Sequence, residues 1–199
     1  MAKSILISGF EPFGSDSINP TEIIVRNLPK EINNFEIHGI VLPVEFKLAP
    51  ERLIREIEKI KPSAIIMLGQ AGGRDSISIE TTAKNNMRGK DNSGFAIDNL
   101  PVIEGESIEL HSTLPVDKIN AAIKNYGLPS KLSNDAGNYV CNCLFYSVMH
   151  FLKDVVSAGF IHVPFIPEQG HDDKPSLELE DISKAIIEAI KVVIEEAIK

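Results

Sequence analysis

Ala64-Ile65-Ile66-Met67-Leu68-Gly69-Gln70-Ala71-Gly72-Gly73-Arg74 is an unbroken apolar run that gives way to a glycine-rich loop. A short apolar run without polar alternation fits a strand covered on both faces. Upstream, Leu48, Leu53, Ile54, Ile57 and Ile60 recur at helical spacing, which predicts an amphipathic helix over residues 46–60. Residues 35–42 alternate in places and read as a strand before it. Strand, helix, strand and loop make a βαβ unit, so the fold is α/β around a largely parallel sheet. Ligands in such sheets sit over the C-terminal strand ends. The loops at 9–14 and 69–74 should both open there.

The rest of the chain supplies the sheet and its cover. Ile5-Leu6-Ile7-Ser8 reads as a buried strand ending at Gly9. The following Gly9-Phe10-Glu11-Pro12-Phe13-Gly14 lacks the G-x-G-x-x-G spacing and the lysine of a phosphate loop. Its two phenylalanines suit an apolar ligand surface or, as the alternative, a plug closing the sheet. Asn19-Pro20-Thr21 starts a helix running to about Asn27. Ile77, Ile79 and Thr81 alternate with Ser78, Glu80 and Thr82, which places Glu80 on the more polar face of a strand as a solvated carboxylate. Residues 85–105 read as a polar hairpin excursion turning at Asp91-Asn92-Ser93-Gly94. A helix over 118–126 and a strand over 130–133 follow. Residues 159–167 form a buried strand that His162 interrupts near its end, where a hydrogen-bonded core histidine and a catalytic one are the two readings. Residues 177–198 close the chain as a helix with Ile182, Ala185, Ile186, Ile190, Val193 and Ala197 inward.

Chemistry concentrates at Ser133-Asn134-Asp135-Ala136-Gly137-Asn138-Tyr139-Val140-Cys141-Asn142, a polar turn leading into a helix. Asp135 or Asn138 is the expected cap, and Cys143, Leu144, Ser147, Val148 and Phe151 mark one buried face. A thiol in the first turn feels the positive end of the helix dipole, which favours thiolate, and the free N–H groups there can hold an oxyanion. On that expectation Cys141 alkylates well below the ordinary thiol pKa of ~8.5. An inert core cysteine is the other reading.

Composition narrows the classes. At 43% hydrophobic and 24% charged the chain is globular, and its length suits one domain over residues 1–199. A net charge of −8 argues against nucleic acid as a partner. No apolar run reaches the ~18 residues that span a bilayer, and the apolar stretch after Met1 is short for a signal peptide. A cytoplasmic location with no membrane partner is therefore expected. The only cysteines, Cys141 and Cys143, point to opposite sides of a helix, which excludes a disulfide between them. No histidine stands at zinc-ligand spacing from either, so no metal is expected.

Taken in order, Gly9-Phe10-Glu11-Pro12-Phe13-Gly14, Asn19-Pro20-Thr21, Leu42-Pro43-Val44, residues 69–74, Ile79-Glu80, Ser112-Thr113-Leu114-Pro115, Val140-Cys141-Asn142 and residues 160–169 resemble the pyroglutamyl peptidase I family over nearly the whole chain. The resemblance implies a single α/β/α sandwich around a twisted, mixed but largely parallel sheet. It implies a cysteine-type amino-terminal exopeptidase with Cys141, His162 and Glu80 as its triad. It also implies that Phe10, Phe13, Gln70 and Val140 line the pyroglutamyl pocket. The oxyanion site would combine the Cys141 backbone with Arg88. The substrates would be peptides with N-terminal pyroglutamate, with no metal or organic cofactor, and the assembly a homotetramer. Two departures are visible: Asn86-Met87-Arg88-Gly89-Lys90 is shorter than the family's segment and lacks its proline, with Arg88 as the natural equivalent of the family arginine, and the link between Leu152 and Phe160 is also short. Two other classes stay open beside this one: a non-catalytic binder of a small cyclic ligand, and an amidase of different specificity on the same fold.

Overall fold

The computed structural model describes residues 3–197. The first half runs β1 (Ser4–Phe10), α1 (Pro20–Arg26), β2 (Glu31–Ile32), β3 (Phe35–Leu42), α2 (Leu48–Ile60), β4 (Ala64–Gln70) and β5 (Ile77–Glu80). An excursion follows, made of β6 (Thr82–Lys84), β7 (Met87–Lys90), β8 (Ala96–Leu100) and β9 (Glu109–His111). The chain then returns through α3 (Val116–Asn125), β10 (Ser130–Ser133), α4 (Val140–Leu152), β11 (Ser157–Val163) and α5 (Leu179–Ala197).

The main sheet has the order β10-β5-β11-β4-β1-β3-β2. Strands β11, β4, β1 and β3 are mutually parallel, whereas β5 opposes β11 and β2 opposes β3. The chain leaves β1 toward β3 and returns to its other side as β4. A crevice therefore opens between β1 and β4 at their C-terminal ends, the switch point where α/β sheets bind ligands.

Alternation along the strands builds two cores. Ile66 and Leu68 of β4 pack with α1, α3 and α5, while Ile65 and Met67 pack with α2 and α4. Each such fully buried side chain contributes about 1.5–3 kcal/mol relative to exposure. The result is three layers, helix on sheet on helix. Helix α1 starts where its sequence dictates, since the Asn19 side chain accepts from the Thr21 N–H at 3.0 Å and Pro20 needs no donor. It lies so close to β1 that a Cβ on Gly9 would stand 2.5 Å from the Thr21 carbonyl oxygen.

Some local expectations change. Phe46 is buried but precedes α2, which starts at Leu48. Helix α3 starts at Val116, ahead of residue 118. Neither Asp135 nor Asn138 caps α4: Tyr139 occupies that place without a side-chain cap bond. Nor does α4 bury a single face. Sheet, α2 and excursion surround it, so Asn142, Phe145 and Tyr146 are buried too, while Phe151 is exposed. At the end of α5, Ala197 is exposed and Ile198 lies outside the described residues.

The expected hairpin is β7 against β8, with its turn at residues 91–94. At its root, Asn85 brackets the exposed turn that follows β8. Its side chain accepts from the Ile103 N–H at 2.9 Å and donates to the Ile103 carbonyl at 2.8 Å, while its backbone N–H donates to the Ile108 carbonyl at 2.8 Å.

Candidate active site

The chemistry begins with strand register. Ala158, Phe160 and His162 of β11 share the face turned to α4, and Phe160 stands opposite Glu80 of β5 in the antiparallel ladder. Glu80 is thus on the same face as His162 and one diagonal step away. The His162 Nδ1–H donates to Glu80 Oε1 at 2.7 Å. An ionised carboxylate only accepts, so Nδ1 carries the proton and Nε2 keeps its lone pair.

Glu80 is fully buried, not the solvated residue its polar strand face suggested. Arg74 accounts for part of that tolerance. Its Nη1 donates to the same Oε1 at 2.6 Å, and its Nη2 donates to the Asp135 carbonyl at 2.8 Å. Burial pushes the Glu80 carboxyl up, but the hydrogen bond and charge of His162, helped by Ser133 and Arg74, hold it below its ordinary value.

Cys141 comes to His162 through a glycine. Gly69 of β4 pairs with His162 of β11, and a Cβ on Gly69 would lie 2.9 Å from Cys141 Sγ and 2.7 Å from the Phe160 ring. The sulfur therefore rests on β4, roughly one strand spacing of ~4.8 Å from the imidazole's strand. Any side chain at position 69 would displace it.

Helix α4 is held at this height by Asn142. Its Oδ1 accepts from the Lys84 N–H at 2.9 Å, and its Nδ2 donates to the carbonyls of Lys84 and Asn86, each at 2.8 Å. The first helical bond starts only at Cys143 N–H, which leaves the N–H groups of the first turn without intrahelical acceptors. Cys143 faces away from the site, buried, with its S–H donating to the Phe46 carbonyl at 3.4 Å.

A cavity of about 240 Å³ opens above Cys141 and His162. Phe10, Phe13, Gln70 and Val140 line it together with both catalytic candidates, and Glu80 lies behind His162. Arg88 does not reach it: its side chain is 63% exposed on the excursion and pairs with Asp98 at 3.1 Å. The arginine in the cavity wall is Arg74, with Asn19, Val44, Ala71, Tyr139 and residues 135–137 completing the lining. Sequence reading gave Arg74 no role, because its partners Glu80 and Asp135 meet only through the fold.

Protonation departs from the thiolate expectation. Burial, then the charge of Glu80, push the Cys141 thiol up to about 12, against a smaller opposing pull from Arg74. Burial also lowers His162, outweighing the hydrogen bond and charge of Glu80. Both displacements favour neutral thiol beside neutral imidazole.

The chain as a whole has close counterparts. A family model described as pyroglutamyl peptidase matches residues 3–198. The chain belongs to the pyroglutamyl peptidase family. It is 41% identical to a pyrrolidone-carboxylate peptidase of Fusobacterium nucleatum, covering 96% of this chain and 92% of that one. Against the pyrrolidone-carboxylate peptidase of Thermococcus kodakarensis it is 42% identical, covering 96% of each. Solved structures agree. A variant pyrrolidone carboxyl peptidase from Pyrococcus furiosus superposes with a TM-score of 0.93 at 40% identity, over 97% of this chain and 99% of that one. The enzyme from Thermococcus litoralis gives 0.92 at 38%, over 97% and 94%. The α/β/α layering expected for a pyroglutamyl peptidase is thus the fold of this chain.

Proposed function

We propose that the protein hydrolyses the bond after an N-terminal pyroglutamyl residue of peptides, with Cys141 as nucleophile, His162 as general base and acid, and Glu80 as the residue orienting His162. The observation that supports this most is the 2.7 Å bond from His162 Nδ1 to buried Glu80, which leaves Nε2 as a base on the cavity side.

His162 Nε2 takes the thiol proton as sulfur attacks the pyroglutamyl carbonyl carbon. The carbonyl electrons move to oxygen, and the N–H groups at the start of α4 meet that oxyanion. The tetrahedral species collapses, the amine leaves with the proton from Nε2, and a thioester remains on Cys141. Water then attacks, giving its proton to Nε2, and that proton returns to sulfur as free pyroglutamate departs. Glu80 stabilises the imidazolium in both halves. The ring is gripped by the apolar wall of Phe10 and Phe13, with its lactam read by backbone groups near Gln70.

A cytoplasmic location belongs to the same reading, since a working thiol needs a reducing compartment and both cysteines are free. Homotetrameric assembly is carried over from the family resemblance, and sedimentation at assay concentration checks it.

The elevated Cys141 thiol is the one observation that suits a non-catalytic ring binder. Turnover separates the readings, and alkylation checks the raised thiol that both accommodate. Release from a pyroglutamyl-amide chromogenic substrate is expected, with release from the prolyl analogue lower by ~10⁴-fold, because proline lacks the lactam carbonyl and carries a charge into an apolar slot. In the resting protein, alkylation of Cys141 by iodoacetamide should keep accelerating above pH 8.5, as a raised thiol requires. Binding of the pyroglutamyl amide with neither turnover nor a covalent pyroglutamyl adduct would sink the peptidase reading.

A further inference from the structure

Phe13 and Gln70 come from loop and strand end far apart in sequence, yet Asp16 holds both, Gln70 through its carboxylate and Phe13 through its backbone N–H. Asp16 Oδ2 accepts from Gln70 Nε2 at 3.1 Å and from Gln169 Nε2 at 3.0 Å. Its Oδ1 accepts from His171 Nε2 at 2.8 Å. We propose that Asp16 is the positioning residue of the ring slot, fixing Phe13 and Gln70 so that affinity for the lactam depends on it and the chemical step does not. The proposal rests on the pyroglutamyl reading for the identity of the ring.

The geometry separates slot from chemistry. Gln169 Nε2 also donates to Gln70 Oε1 at 2.9 Å, so both ends of the Gln70 amide are engaged away from the substrate. The lactam is therefore left to backbone groups, whose placement depends on the Gln70 side chain being held. Gln169 is itself fixed, its Oε1 accepting from the Ile166 N–H at 3.0 Å, just beyond β11. Asp16 thus ties three segments together: the loop after β1, the end of β4 and the turn after β11.

Phe13 sits between this tie and two others. The Asp16 N–H donates to the Phe13 carbonyl at 3.2 Å. On its other side, Asn92 Nδ2 donates to the Pro12 carbonyl at 3.1 Å, and Asn19 Nδ2 to the Glu11 carbonyl at 3.1 Å. None of these contacts reaches Cys141, His162 or Glu80. The Asp16 side chain is only 12% exposed, so bulk water does not replace lost donors freely.

The test uses Asp16→Asn, which keeps the shape and removes one acceptor oxygen, and Gln169→Leu, which attacks the same tie from its far side. With a pyroglutamyl-amide substrate, each variant should raise KM about tenfold with kcat within about twofold, and the double variant should be little worse than either. A second readout needs no turnover. Protection of the Cys141 thiol from iodoacetamide by 2-pyrrolidone, the bare ring, should require about tenfold more of it in each variant. Asp16→Glu should recover part of the protection. A fall in kcat matching the rise in KM, or a lowered melting temperature with protection unchanged, overturns the proposal. Absent protection in the wild-type protein overturns it too. Wild-type protection without peptide turnover refutes the peptidase reading alone, and the protection assay still decides the role of Asp16.

Discussion

The two walls of the cavity are built on different principles. On the catalytic wall, Glu80, His162 and Gly69 sit on strands, and backbone register sets their spacing to within a side-chain rotamer. On the ring wall, Gln70 and the loop that carries Phe13 are held by side-chain hydrogen bonds between segments distant in sequence. Register is supported by many backbone bonds and survives loss of one side chain. A polar tie concentrated on one carboxylate does not. Substitutions on the first wall should therefore remove chemistry and spare the fold, while those on the second should tune affinity.

The largest effect tests the first half of that contrast. Cys141→Ala removes the proposed nucleophile, so turnover should vanish while circular dichroism and melting temperature stay close to wild type. Unfolding of this variant would mean that the sulfur contributes to the fold as well as to the site.

Glu80→Gln comes next, with an expected loss of about 10²- to 10⁴-fold in kcat, since the imidazolium loses its counter-charge while His162 keeps a neutral partner. The substitution should also remove a pH dependence of stability. A carboxyl held below its ordinary 4.5 contributes stability that is present above that value and is lost as pH falls through the folded pKa. Resistance of wild type to denaturant should therefore weaken on acidification below about pH 4.5, and the Gln variant should lack that component. Wild-type kinetics in Glu80→Gln would return it to an inert strand residue.

The smallest effect belongs to Cys143→Ser. The hydroxyl replaces a buried sulfur whose S–H already reaches the Phe46 carbonyl. A stability cost of about 1–2 kcal/mol, read by denaturant titration, is expected with most activity retained. A loss of turnover larger than that in Cys141→Ala would reverse the assignment of the two cysteines.

These differences follow what the sequence could display. The strands at 35–42 and 130–133 match their expected bounds because apolar pattern and turn residues are local signals. Glu80 was placed on the correct strand face, but periodicity does not say what covers that face; here α4 and Arg74 do. The helix start was legible and its cap was not, since the Asp135 side chain turns to the Gly137 N–H at 3.2 Å and to Lys84 at 3.1 Å. Arg88 was chosen by its place in a motif, but in the shortened segment its side chain reaches Asp98 across the hairpin. Arg74 and Asp16 carry no local pattern at all. Their partners lie on other elements, and only the folded topology brings them together.

The bracket around Asn85 has a consequence for how the protein tolerates cutting. The turn at residues 104–107 is exposed and is a natural target for a protease. Cleavage beside Gly105 leaves the upstream end fastened by two Asn85 bonds to Ile103, and the downstream end fastened by the Asn85 N–H to Ile108 and by the Tyr146 hydroxyl to Ser107. Neither fragment is complete, since Cys141 and His162 lie after the cut and Glu80 before it. The nicked protein should nonetheless elute as one particle and keep Glu80 beside Cys141 and His162 across two chains, separating and losing turnover only when denatured.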